Sequence, residues 1–258
     1  VKEEVLEELQ GKNAVVTGSG RGIGRGIALA LARRGCNVVI NYFRHREEAE
    51  QTAAEAEAMG VRAPVVKAHV GKEEEMQALI EESVRALGGV DIFVGNAASG
   101  VLKPITEIDR KAWEWTVNIN ARSILVGVQA ALPSMRARGW GRILTVTSIG
   151  SRRVFPEYGV VGVSKAAIEA LTRYLAVELA PYNIIANCIS PGVVITSALD
   201  FFPRKEEMIA YAQQHTPVGR LATPEDVGEV AAWLCTDAAR MIVGQTIEVD
   251  GGYSLLAF

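Results

Sequence analysis

Cysteine and histidine are both scarce, with three of each in 258 residues. Cys36, Cys188 and Cys235 lie far apart without C-x-x-C spacing. That pattern supports neither a disulfide frame nor a zinc site, and the three read as reduced packing residues of a cytoplasmic protein. His45, His69 and His215 lack metal-ligand spacing, so no metal is expected. Excess positive charge is missing too: 27 Lys and Arg face 30 Asp and Glu, a net charge of −3. Duplex nucleic acid is therefore not an expected partner. The N-terminal VKEEVLEELQGK is charged throughout. It has no apolar run of the kind a signal peptide or membrane span needs, so no membrane insertion is expected. No linker, repeat or low-complexity tract divides the chain, and one domain over 1–258 is expected, long enough for a substantial core.

What the chain does have is alternation. Short Val/Ile-rich runs occur at 13–17, 37–41, 64–69, 91–95, 142–148, 184–190 and 246–250. Nearly continuous apolar runs suit parallel strands covered on both faces. Helical patterns lie between them, two of them ending at Gly35 and Gly60 as expected of C-caps, and another covering Trp113–Arg136. Repeated strand–helix–strand order predicts an α/β fold: a Rossmann-type, doubly wound sheet of seven parallel strands with helices on both faces. The least patterned interval, 196–217, follows a late strand, where a substrate lid would sit.

The stretch TGSGRGIGRGIA follows the first strand and opens the first helix. Gly18, Gly22 and Gly24 would let backbone N–H groups approach a pyrophosphate at the positive end of that helix. The spacing is G-x-x-x-G-x-G, and its position between strand and helix is what makes it informative. Gly18, Ser19, Arg21, Gly22, Ile23 and Gly24 are the candidate cofactor contacts here. The second strand ends INYFRHR, with Arg44 and no acid before Glu47. Two guanidiniums, Arg21 and Arg44, with no carboxylate for a ribose 2′-hydroxyl, suit a 2′-phosphate, so NADPH is the expected cofactor.

With these segments in view, the chain resembles the short-chain dehydrogenase/reductase family over nearly its whole length. TGSGRGIG is similar to the family's cofactor loop, and GNAAS to its Asn-Asn-Ala-Gly segment, with Gly95 and Ala98 replacing the first Asn and the Gly. The resemblance makes Asn96 and Ala97 cofactor contacts and Asn120 an active-site residue, and it puts Ser148 at the end of strand five. It implies that Pro191, Gly192, Ile195 and Thr196 form the loop that holds the nicotinamide carboxamide. His69 and Val70 would flank the adenine, although an ordinary strand-end histidine reads equally well. A homotetramer is implied as well.

One departure stands out. Most of the family has its tyrosine thirteen residues after the serine and four before the lysine, and both counts reach Val161. Tyr158 and Lys165 instead give Y-x-x-x-x-x-x-K, the spacing of the family's enoyl-thioester reductases. NAASGVL, YGVVGVSKAAIEALTRYLAVELAP and HTPVGR are similar to segments of the NADPH-dependent enoyl-acyl-carrier-protein reductases of the third type. The first-type enzymes carry a second tyrosine where Ser148 stands.

Steps of four and seven residues both return near one helix face, so Tyr158 can still face the nicotinamide, about 4–5 Å farther along the axis. Gly159 makes an irregular start to the helix an alternative. Ketone reduction develops charge on the oxygen of the carbon that takes hydride. Reduction of a 2,3-unsaturated thioester puts hydride on C3 and develops charge farther away, on the thioester oxygen. A displaced donor fits the second case. Tyr158 would stabilise the enolate and Lys165 would bind the nicotinamide ribose, with Ser148 and Asn120 as further candidates.

The expected function is reduction of enoyl-acyl-carrier-protein thioesters in fatty acid synthesis. Phe201, Phe202, Met208 and Ile209 would line an acyl pocket, and Arg152, Arg153, Arg204 and Lys205 would meet the acidic carrier protein. Trp113, Trp115 and Trp140 read as core or subunit packing. The alternatives are an NADPH-dependent carbonyl or 3-oxoacyl thioester reductase with a displaced tyrosine, and a non-catalytic NADPH-binding subunit.

Overall fold

The computed structural model describes residues 8–256, so most of the charged N-terminal stretch lies outside the described residues. Seven strands form one sheet: β1 (Asn13–Val16), β2 (Asn37–Tyr42), β3 (Val65–Lys67), β4 (Ile92–Gly95), β5 (Gly141–Val146), β6 (Ile184–Pro191) and β7 (Thr246–Val249). The order is β3-β2-β1-β4-β5-β6-β7, and every pairing is parallel. This is the doubly wound arrangement the alternation predicts. β3 is shorter than the apolar run suggests, because the His69 N–H turns out of the ladder to the Glu75 carboxylate at 2.7 Å.

Alternating strand residues feed two cores, one on each face. Ala14, Val16, Val38, Ile40, Ile92, Val94 and Leu144 pack against α1 (Gly22–Arg33), α2 (Arg46–Glu57) and α8 (Pro224–Leu234). Val15, Val39, Phe93 and Ile143 face α3 (Glu73–Leu87), α5 (Ser123–Arg138) and α6 (Gly159–Leu179). α1 and α8 approach so closely that a Cβ on Gly26 would lie 2.1 Å from the Pro224 carbonyl oxygen. Gly35 and Gly60 end the first two helical patterns with φ of +82° and +88°, a region glycine enters without strain.

The predicted helix over Trp113–Arg136 is not continuous. α4 (Arg110–Val117) passes through one π-helical turn, Asn118–Arg122, before α5 begins. Such an extra residue per turn is frequent at functional sites, and here it contains Asn120. The 196–217 interval holds a short 3₁₀ turn, Ser197–Phe201, and α7 (Lys205–His215).

Trp113 and Trp115 are about 40% exposed and do not belong to the core of the protomer. Trp140 lies between Lys12 and Arg142, both placed over its ring at 4.1 and 4.2 Å. The three cysteines are free and buried. Burial raises all three thiols, Cys188 to about 11 and Cys235 to about 12, which keeps them protonated and unreactive. No helix among the described residues is long and apolar enough to cross a membrane.

Candidate active site

The loops at the C-terminal ends of β1, β4, β5 and β6 converge, as open α/β sheets require of a ligand cleft. Gly18 and Gly22 adopt φ of +64° and +56°. Gly24 could not carry a side chain, since its Cβ would lie 2.4 Å from the Gly18 carbonyl oxygen. Asn41 braces the turn by accepting the Gly18 N–H at 3.0 Å. Thr17 accepts the N–H groups of Asn96 and Ala97 at 2.9 and 3.0 Å. The Asn96 amide donates to the carbonyls of Thr17 and Gly18. The loops after β1 and β4 are thereby tied to each other. A bare-backbone cradle at a twelve-residue helix N-terminus fits a dinucleotide pyrophosphate.

Ser19 is not available to a ligand. Its hydroxyl donates to the Val16 carbonyl and accepts from Asn41 N–H, its own N–H donates to the Asn41 carbonyl, and it is fully buried. It braces the loop from beneath. Ile23, in the first turn of α1, packs partly against the core. The Val70 side chain is also buried in the core, so only its backbone can face a ligand.

His69 packs edge-on to Phe43 and Trp115, with centroids 4.6 and 5.3 Å away. Its Nδ1 accepts the Gly71 N–H at 3.2 Å. Arg44 sits over Phe43 and makes no ion pair among the described residues. Arg21 faces Glu48 at 3.7 Å, both well exposed.

On the opposite wall, Pro191 ends β6, and Gly192 lies so close to Asp250 that a Cβ there would come within 2.8 Å. Thr196 reaches across the cleft until its methyl is 3.3 Å from the place a Gly22 Cβ would take. The 196–217 segment therefore closes over the glycine loop through Thr196. Ile195 is more than half exposed at the rim.

Tyr158 does not lie within the helix. It is the N-cap of α6, with φ −91° and ψ 6°, and its carbonyl accepts the Gly162 N–H at 2.7 Å, closing the first turn. The preceding Glu157 takes φ +61°, a left-handed conformation in which side chains are strained. This turn sets the phenol at the mouth of α6, ahead of Val161 in the first turn. The irregular helix start is the alternative that holds.

Val161 is buried, and its methyl fills the space over Gly100, where a Cβ would come within 2.3 Å. No donor occupies that position. The Tyr158 ring stacks on Phe202 at 5.6 Å and meets Phe155 edge-on at 6.0 Å. Burial raises the phenol above its ordinary value, opposed by a hydrogen bond with Ser148. Tyr158 therefore keeps its proton at neutral pH.

Lys165 is buried, and its ammonium donates to the Val146 carbonyl at 2.8 Å. Burial lowers it to about 8, and one of its donors is used while two remain for a ligand. Asn120 accepts the Ser99 N–H and donates to Ser164, both at 2.8 Å, tying the π turn to α6.

The expected carrier-facing cations are engaged within the chain. Arg152 pairs with Glu248, Arg153 donates to the carbonyls of Ser254 and Leu256, Arg204 pairs with Glu207, and Lys205 pairs with Asp200. Phe201 points to solvent, 77% exposed, so it lines no pocket as placed here. Ile209 does pack, against Ile149, Val193, Ala212 and Tyr253. Sequence reasoning missed the bracing residues Thr17 and Asn41, Phe155 against the phenol, and Glu169 below it. An acid set among apolar residues of α6 was the signal for the last.

A glycine cradle on a doubly wound sheet, facing a protonated phenol and a buried ammonium, defines a nicotinamide-dinucleotide oxidoreductase. A family model described as enoyl-(acyl carrier protein) reductase matches residues 18–254. The 1-cyclohexenylcarbonyl-CoA reductase of Streptomyces collinus is 38% identical over 246 residues, covering 95% of this chain and 87% of that protein. Dehydrogenase/reductase SDR family member 4 of Sus scrofa is 36% identical, covering 96% and 89%. Among solved structures, a 7α-hydroxysteroid dehydrogenase complexed with NADH and 7-oxo glycochenodeoxycholic acid superposes with a TM-score of 0.91 at 33% identity, covering 98% of both chains. The chain belongs to the short-chain dehydrogenase/reductase family.

Proposed function

We propose that the protein uses NADPH to reduce the 2,3-double bond of enoyl-acyl-carrier-protein thioesters, in the cytoplasmic synthesis of fatty acids. The observation that carries the reading is the displacement of the donor: Val161 closes the usual position and Tyr158 stands one helical turn before it. The match to a family model described as an enoyl reductase, and likeness to an enzyme named for reducing an unsaturated acyl-CoA, support the same class of substrate.

When bound, NADPH supplies the hydride that goes to C3. Tyr158, holding its proton, donates a hydrogen bond to the thioester oxygen as charge develops there. Lys165 binds the ribose with its free N–H donors and adds positive charge beneath the cleft. Ser148, at the turn after β5, is the second candidate donor to the substrate oxygen. Phe202 and Phe155 shield the site from water. Arg44, which pairs with no acid among the described residues, and Arg21, once released from Glu48, suit the 2′-phosphate.

An acidic carrier would have to exchange the internal partners of Arg152, Arg153, Arg204 and Lys205 for its own carboxylates. A homotetramer is part of the same reading, since Val163, Tyr174 and Val177 leave an exposed apolar strip on α6. The test is oxidation of NADPH with crotonyl-CoA against acetoacetyl-CoA. Crotonyl turnover is expected to dominate, and Tyr158→Phe to lower its kcat by about 10²-fold or more. Acetoacetyl reduction without crotonyl turnover would replace this reading with a carbonyl reductase.

A further inference from the structure

A buried carboxylate beneath the site has no part in the chemistry described so far. Glu169 lies one helical turn beyond Lys165 on α6 and is only 9% exposed. Its Oε1 accepts the Ser151 hydroxyl at 2.5 Å and shares the Thr147 hydroxyl, 3.0 Å away, with the Lys165 carbonyl at 3.1 Å. Those two partners belong to the end of β5 and to the short turn that follows it, Ile149–Ser151. A carboxyl in such a place is costly unless it does something the fold needs.

What Ser151 holds is the seat of the phenol. Its N–H donates to the Ser148 carbonyl at 2.9 Å. The Ser148 hydroxyl accepts the Gly150 N–H at 3.1 Å, which fixes Gly150 in the turn. Gly150 itself presses on the tyrosine ring, since a Cβ there would lie 2.5 Å from Cε1. Its carbonyl meets the α6 backbone at Gly162, where a Cβ would come within 2.6 Å. From carboxylate to phenol the path is continuous: Glu169, Ser151, the Ser148–Gly150 turn, Tyr158.

We infer that Glu169 is a positioning residue, which pins the turn after β5 and so fixes where the Tyr158 hydroxyl points. The inference rests on the reading of Tyr158 as the donor. Tyr158 enters α6 through a strained residue and gains no orientation from helix periodicity, so the turn beneath it sets its direction. The role is geometric: an oxygen that accepts two hydroxyls suffices, and the negative charge is not required.

The test uses the full chain with Glu169→Ala, Glu169→Gln and Ser151→Ala. Readouts are kcat and KM on crotonyl-CoA, NADPH affinity by fluorescence, and ultraviolet difference titration of the Tyr158 phenol. Each titration is compared with the same variant carrying Tyr158→Phe. Glu169→Ala and Ser151→Ala are expected to lower kcat about tenfold or more, as expected of a misplaced reacting group. NADPH affinity should stay within about twofold and the phenol titration should move. Glu169→Gln keeps the accepting oxygen and should stay within about threefold of the parent.

If Glu169→Ala fails to fold, Ser151→Ala decides, because it removes a single hydroxyl at a turn. Parental kcat and an unmoved phenol in Ser151→Ala would overturn the inference. So would a Glu169→Gln protein as impaired as Glu169→Ala, which would make charge the cause. A parent protein inactive on crotonyl-CoA would strike the proposed function, while the phenol titration would still decide the positioning role.

Discussion

Gly150→Ala isolates the phenol from everything else in the cleft. The new methyl would sit 2.5 Å from Cε1 and 2.7 Å from Cδ1 of Tyr158, and 3.3 Å from Phe155. Carbon atoms pack comfortably at about 3.5–4.0 Å, so the ring must retreat by about 1 Å. The turn that holds Gly150 is tied by Ser151 to Glu169. Phe202, stacked on the ring, is only partly buried on the 196–217 segment. The ring and Phe202 therefore yield, not the sheet. A 1 Å error in a reacting group costs up to about 10²-fold in rate, whereas overpacking costs about 1–3 kcal/mol of stability.

The expected result is a kcat on crotonyl-CoA lowered about 30- to 100-fold, with NADPH affinity unchanged because the glycine loop is elsewhere. A double-mutant cycle with Tyr158→Phe makes the attribution. If the methyl acts only through the phenol, Gly150→Ala adds almost nothing once the hydroxyl is gone. Additive losses would show that the turn serves catalysis by another route. Parental kcat in a folded Gly150→Ala protein would sink the placement of Tyr158.

Two further outcomes follow from the same residues. Lys165 is lowered to about 8 in the fold, so at neutral pH the ammonium costs stability on the order of 3 kcal/mol at most. That cost is relieved as pH rises from about 8 toward the unfolded lysine's ordinary value. Urea midpoints without cofactor should place Lys165→Met above the parent at pH 7, with the gap narrowing toward pH 10, and a widening gap would contradict the sign. Glu157, exposed at φ +61°, should be better served by asparagine, which tolerates that region. Glu157→Asn is expected to gain about 0.5–1 kcal/mol with kcat unchanged, and a lower melting temperature would refute the strain.

All seven strands were legible to within a few residues, because a parallel strand covered on both faces has to be apolar at nearly every position. The glycine loop was legible for a comparable reason: three positions there tolerate no side chain or no negative φ, and only glycine serves. The pairing of Tyr158 with Lys165 was legible as spacing. What periodicity could not carry was irregularity. The π turn at Asn120 is one extra residue in an otherwise amphipathic run, which leaves the apolar pattern intact on both sides.

Polar side chains were less legible than apolar ones. Ser19 lies between two glycines of the loop and reads as a ligand contact, yet its hydroxyl and N–H turn inward to β1 and β2. The four cations expected to meet a carrier find internal partners within a few ångströms, and composition gives no means of pairing charges across the fold. Glu169 went unread because its partners, Thr147 and Ser151, are 22 and 18 residues away in sequence.

These misses have one physical root. Apolar burial repeats with the period of the backbone, so a single sequence displays it. Hydrogen bonds between polar side chains depend on which loops the sheet brings together. The phenol at position 158 belongs to this second kind. Its distance from Lys165 along the chain announces it, but its orientation is set by a left-handed glutamate on one side and a carboxylate-pinned turn on the other. If that is right, grafting the Y-x-x-x-x-x-x-K spacing alone onto a relative with its tyrosine at the Val161 level would not move the donor. The Glu157 turn, Gly150 and the Ser151–Glu169 pair would have to travel with it.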